Sequence, residues 1–166
     1  MDREELSYFL ALERTAGIGA KRLVTLRSYF GSAERAFHAS VHELIGVPGL
    51  GRSTAEAIVN EREAARIEAL EELRRLPSGV VIITYDDEHY PELLRSTYSP
   101  PARLYCAGDP MLLRAPKMIA VIGSRKTTDC GRRAAAEFSE RFAEQQVTVV
   151  SGFARGIDTV AHTATF

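Results

Sequence analysis

Apolar positions keep a helical period through the first part of the chain and change rhythm near residue 80. Leu6, Phe9, Leu10 and Ala11 lie on one stripe, and after a break at Thr15-Ala16-Gly17-Ile18-Gly19 the stripe resumes at Leu23, Leu26 and Phe30. Gly31-Ser32 stops that helix and caps the next. A second block repeats the logic: Ala36 and Phe37, a start at Ser40, apolar Leu44 and Ile45, a tight hairpin from Gly46 to Gly51, and a helix from Ser53 onward. That helix carries Ile67, Leu70, Leu73 and Leu76 among charges of both signs, which mark a solvated face. Residues 1–76 are therefore expected to form a small all-helical domain of the helix-hairpin-helix, SAM-like kind. Pro77-Ser78-Gly79 ends it.

From there the pattern is one of short strands. Val80-Val81-Ile82-Ile83-Thr84 is β-branched, Tyr90-Pro91-Glu92-Leu93-Leu94 reads as a short helix, and Arg103 to Gly108 as a second strand. Met118 to Ile122 is a continuous apolar run that stops at Gly123 and gives way to an amphipathic stretch from Asp129 to Gln145. The same succession returns in Thr148-Val149-Val150-Ser151-Gly152, with a new helix opening at Ala154 to Asp158. Strands alternating with helices predict a parallel sheet whose ligands sit at the carboxyl ends of the strands. The expected fold class is α/β: residues 1–76 all-helical, residues 80–166 an incomplete Rossmann-like parallel sheet. Such sheets usually have more than the four or so strands legible here, so the chain reads as part of a longer protein.

Bulk charge adds little. With 21 basic against 22 acidic residues the net charge is −1, so a nucleic-acid partner would have to be held by local clusters. Cys106 and Cys130 are far apart and without a partner motif, as expected of reduced thiols. The acidic opening Met1-Asp2-Arg3-Glu4-Glu5 lacks an apolar signal region, and no apolar run approaches the ~20 residues of a membrane span. A cytoplasmic protein with no membrane contact is expected.

The chemistry is concentrated in four glycine-containing turns. Both helical hairpins read Gly-apolar-Gly followed by a basic residue, Lys21-Arg22 in the first and Arg52 in the second. Glycines let backbone approach a phosphate and the next helix start presents N–H groups, so these are possible secondary DNA contacts; they read equally well as tight connectors in a bundle. The two strand-to-helix turns offer Gly123, Ser124, Arg125 and Lys126, then Ser151, Gly152, Arg155 and Gly156. Amides, hydroxyls and arginine forks at such turns suit phosphate. Neither turn is a dinucleotide fingerprint or a Walker loop, so no nicotinamide or nucleoside-triphosphate cofactor is expected, and no metal. Asp158 and His162 stand at i and i+4 and are expected to pair and fix the preceding loop. Ser151 lacks the nucleophile elbow, so no catalytic residue is assigned.

These segments together resemble the DNA-processing protein A family, also called DprA or Smf. The likeness is carried by Tyr90-Pro91-Glu92-Leu93-Leu94, by Pro100-Pro101-x-x-Leu104-Tyr105-x-x-Gly108, by Ala120 to Arg125 with Gly131, and by Val149-Val150-Ser151-Gly152-x-Ala154-x-Gly156-Ile157-Asp158-x-x-Ala161-His162. The resemblance implies a non-enzymatic protein that binds and shields single-stranded DNA in natural transformation and helps load the RecA recombinase. It also implies a homodimer in the full-length family. Its DNA pocket would fall on Gly123, Ser124, Arg125, Lys126, Ser151, Gly152, Arg155 and Gly156. Two rivals remain: a nucleotide hydrolase of a related Rossmann-like fold, whose Pro-Gly-Gly-x-Gly-Thr stretch does not occur here, and a protein-interaction module.

Overall fold

Capping chemistry sets the ends of the first helices in the computed structural model, which describes residues 1–166. Asp2 opens α1 (Arg3–Arg14) by accepting from the Glu5 amide at 2.8 Å. Helix α2 (Ala20–Phe30) ends at Gly31, which takes the left-handed conformation at φ 86°. Ser32 caps α3 (Ala33–His38), and Ser40 with Glu43 forms a capping box on α4 (Val41–Ile45). The long helix α5 (Arg52–Arg75) begins at Gly51, and α2 at Gly19; neither has a side-chain cap or an acid in its first turn. Phe9, Leu10, Leu23, Leu26, Phe37 and Ile58 are fully buried where these helices meet. Arg66 lies over the Tyr8 ring at 4.0 Å, closing one side of that core.

The first two strands belong with the helices. β1 (Val80–Thr84) pairs antiparallel with β2 (Arg103–Ala107), Ile82 opposite Tyr105. Between them the chain doubles back through α6 (Glu92–Arg95): the Tyr85 amide donates to Ala102 O at 2.8 Å, and the buried Tyr90 hydroxyl donates to Pro101 O at 2.8 Å. Arg103 forms ion pairs with Glu13 and Glu72, and the Tyr105 hydroxyl donates to Glu72 at 2.6 Å. Ala102 joins the helical core. The compact units are accordingly Met1–Pro110 and Met111–Phe166, so by packing the first unit runs well past the boundary expected at 76–80. The expected α/β class holds, with helices first and strands alternating with helices after them, but the strands do not share one sheet. The four strands form two separate ladders, because a four-residue helix inside a folded-back loop is no crossover that could set β2 parallel to β1.

The second unit is a parallel strand–helix–strand arrangement. β3 (Met118–Ala120) and β4 (Thr148–Val150) pair in parallel with Ile119 opposite Val149, and α7 (Asp129–Glu144) connects them. Thr128 caps α7 by accepting from the Gly131 amide at 3.1 Å. Gln146, at φ 56°, turns the chain out of α7 so that the Val147 amide reaches Phe142 O at 2.9 Å. Helix α8 (Ile157–Ala164) follows β4 and packs on α7. No helix is long and apolar enough to cross a membrane.

Candidate nucleic-acid interface

The loops that leave β3 and β4 lock into each other. The Ile157 amide, at the start of α8, donates to Ser124 O at 3.2 Å. Gly156 has φ 98° and ψ −129°, and a Cβ there would stand 2.3 Å from Ser124 O and 2.7 Å from Arg125 Cα. Only glycine fits both that conformation and that approach. A Cβ on Gly123 would lie 2.7 Å from Ile157 Cγ1, and one on Gly152 would lie 2.9 Å from Asp158 Oδ2. Each of these three glycines therefore has a reason internal to the fold.

The serine and aspartate side chains of the two loops are also occupied internally. The Ser151 hydroxyl donates to Val121 O at 2.7 Å, and the Ser124 hydroxyl donates to Lys126 O at 2.7 Å while accepting from the Lys126 amide at 3.1 Å. Asp158 is only 6% exposed, and its Oδ2 accepts from the Gly152 amide at 3.1 Å and the Ala154 amide at 3.4 Å. The expected Asp158–His162 pair is thus corrected. The carboxylate fixes the loop by itself, while His162 lies against Phe153 with ring centroids 5.5 Å apart and its Nε2 has no hydrogen-bond partner. The loop amides, not the next turn of its own helix, take the carboxylate.

The charged side chains that the loops leave unspent are cationic. Arg125, Lys126 and Arg155 are exposed, and their side chains take part in no hydrogen bond or ion pair. The contact of Gly156 with the Arg125 backbone puts Arg125 and Arg155 at adjoining points of the two loops. The nearby acid Asp129 is held by Arg132 at 3.3 Å. Guanidinium forks and an ammonium, free of acidic partners, can take successive phosphates of a polymer.

One residue of the second loop carried no assignment in the sequence. Phe153 adopts φ 55° and is 87% exposed. For a bulky residue that backbone region costs roughly 1–2 kcal/mol, and here the amides on both sides are clamped to Asp158. The available signal was an aromatic residue inside a Gly-x-Ala turn, where burial is unavailable to it.

In the first unit the three basic residues of the hairpins are in different states. Arg22 donates from Nη1 to Gly17 O at 2.5 Å and so braces its own hairpin. Arg52 pairs with Glu56 at 3.6 Å on the helix surface. The Lys21 ammonium has no partner, and it lines a cavity of about 220 Å³ with Gly17, Gly19, Arg22 and the exposed Tyr98. No group of three or more His, Cys, Asp or Glu side chains could hold a metal ion.

The fold is that of a helix-hairpin-helix tandem followed by a Rossmann-like strand–helix–strand unit with interlocked loops at its strand ends. Residues 9–64 match the family model of a SAM-like helix-hairpin-helix tandem, and residues 81–166 match that of DNA recombination-mediator protein A. The chain belongs to the DNA recombination-mediator protein A family, the DprA/Smf proteins. Protein Smf of Synechocystis sp. is 32% identical over 168 residues, covering 99% of this chain and 42% of that protein. DNA processing protein DprA of Bacillus subtilis is 34% identical over 86 residues, or 52% of this chain and 29% of that protein. The X-ray structure of DNA processing protein A from Streptococcus pneumoniae superposes with a TM-score of 0.65 at 24% identity, covering 95% of this chain and 53% of that one. That last likeness is one of fold. The chain spans less than half the length of these two curated relatives.

Proposed function

We propose that this chain binds single-stranded DNA by its phosphates, as part of a protein that protects incoming strands during natural transformation and hands them to the RecA recombinase. The observation that carries the reading is the set of three exposed, unpaired cations, Arg125, Lys126 and Arg155, on two loops locked together at one end of a parallel ladder. Some of the relatives that match, that of Bacillus subtilis among them, are named for DNA processing, which supports a polymer as the ligand over a free nucleotide.

The internal bonds of the loops support a binding role over a hydrolytic one. Ser151 gives its proton to a backbone carbonyl and Asp158 Oδ2 accepts from two loop amides, so both side chains are engaged in holding the loops. Gly123, Gly152 and Gly156 act at one remove: they allow the close packing that presents the cations. The grip is electrostatic and should fall steeply with salt. Fluorescence anisotropy with a labelled oligothymidine tests it. Arg125→Ala is expected to weaken binding and flatten the salt dependence, and unchanged affinity and slope would remove this loop from the interface.

A further inference from the structure

Phosphate contacts leave the bases of a bound strand without a partner, and Phe153 is placed to supply one. Its ring is almost fully solvent-exposed, so it contributes little to the core, yet it is held in a left-handed conformation by a loop whose flanking amides are both tied to Asp158. It stands two residues before Arg155 on the loop that meets Ser124 and Arg125. His162 supports one side of the ring, with centroids 5.5 Å apart and the planes at 56°. Beside it lies a cavity of about 340 Å³ lined by Phe153, Thr159, His162, Thr163 and Phe166. The Thr159 and Thr163 hydroxyls are satisfied by backbone carbonyls at 2.8 Å and 2.9 Å, whereas His162 Nε2 has no partner.

We propose that Phe153 is a stacking platform for one unpaired base of the strand whose phosphates are held by Arg125, Lys126 and Arg155. The inference rests on the single-stranded DNA reading above and adds to it a base contact on the outward face of the ring. Every base has a π-face, so the platform selects unpaired over paired nucleic acid without selecting sequence. A base inside a duplex is already stacked on both faces, and Phe153 offers it nothing. The occupant is therefore a nucleobase: the free cations on the same two interlocked loops attract an anionic polymer whose flat apolar surfaces are its bases.

The test compares the full chain with its Phe153→Leu and Phe153→Tyr variants. The probes are an oligothymidine, an abasic oligonucleotide of the same length, and an oligothymidine carrying a single 2-aminopurine. The wild type is expected to bind the oligothymidine at least about fivefold more tightly than the abasic strand, the lower end for one base–aromatic stack. It is also expected to quench 2-aminopurine. Phe153→Leu should abolish both the base preference and the quenching while leaving abasic-strand affinity and its salt slope unchanged, and Phe153→Tyr should restore them. A base preference and quenching retained in Phe153→Leu would overturn the platform. Equal binding of both strands by the wild type would overturn it too, while leaving the phosphate reading intact. Failure of the wild type to bind either strand would sink both readings together.

Discussion

Gly156 meets Arg125 backbone to backbone, with room for hydrogen and for nothing larger: an added Cβ would stand 2.7 Å from Arg125 Cα. The contact joins the loop after β4 to the loop after β3, and the Ile157 amide bond to Ser124 O closes it. Gly156→Ala must move one loop away and also force alanine into a positive-φ conformation. A loss of roughly 2–4 kcal/mol from the second unit is expected, together with weaker single-stranded DNA binding. Denaturant titration followed by a probe in residues 111–166 checks it; an unaltered midpoint would mean that the loops are not interlocked in solution.

Counterion release allows the three cations to be counted. Each of Arg125→Ala, Lys126→Ala and Arg155→Ala is expected to lower the slope of log affinity against log salt by about 0.7, and the triple variant by the sum. The measurement is a salt series over roughly 50–200 mM. A triple variant with the wild-type slope would place the phosphates elsewhere on the chain.

Asp158 holds two amides of the second loop, and removing the carboxylate leaves both donors without a partner. Asp158→Ala is expected to cost about 2–3 kcal/mol, while Asp158→Asn, which keeps one accepting oxygen, should cost less. Amide hydrogen exchange at Gly152 and Ala154 reports this directly. Protection of both amides that survives in Asp158→Ala would show that some other group holds the loop.

The first hairpin separates structure from binding within adjacent residues. Arg22→Ala removes the bond to Gly17 O and is expected to lower the stability of the first unit by ~1 kcal/mol. Lys21→Ala removes an ammonium that nothing else uses, so stability should stay within about 0.5 kcal/mol. If the hairpin touches DNA, the lysine variant alone should lose affinity without losing thermal stability. Equal melting losses in both variants would contradict the assignment.

Burial pushes the Tyr90 hydroxyl above the ordinary tyrosine value of 10.0, against the opposing pull of Arg95. The folded state therefore keeps that proton longer than the unfolded chain does. Its contribution to stability is full below pH 10 and is lost as the pH rises through the folded-state value. Tyr90→Phe is expected to lower stability at neutral pH by about 1 kcal/mol, through the lost bond to Pro101 O, and to fall less steeply than the wild type in alkali. Urea midpoints measured from neutral pH to above pH 10 decide it, and parallel alkaline curves for the two proteins would be the contrary result.

Helix starts, hairpins and the strand-to-helix turns could be read along the chain because each depends on residues within a few positions. Ser32 and Ser40 cap the helices that follow them, and Gly31 ends one as glycine does. Family likeness and the two phosphate-type loops were legible for the same reason, since their glycines, serines and arginines are contiguous. The pairing of β1 with β2 was not. It depends on a loop that folds back through Tyr90 and on ion pairs from Arg103 to Glu13 and Glu72, far away in sequence.

The roles within the loops divide along the same line. That Gly123, Gly152 and Gly156 stand at the two strand-to-helix turns was visible in the sequence. That they accommodate Ile157, Asp158 and the Ser124–Arg125 backbone emerged only when the two loops were brought together. Helical spacing placed Asp158 and His162 on one face, but the amides of the folded loop took the carboxylate and left the imidazole beside Phe153. A residue's identity limits which bonds it can make; which of them forms depends on the groups the fold brings within 3 Å or so of it.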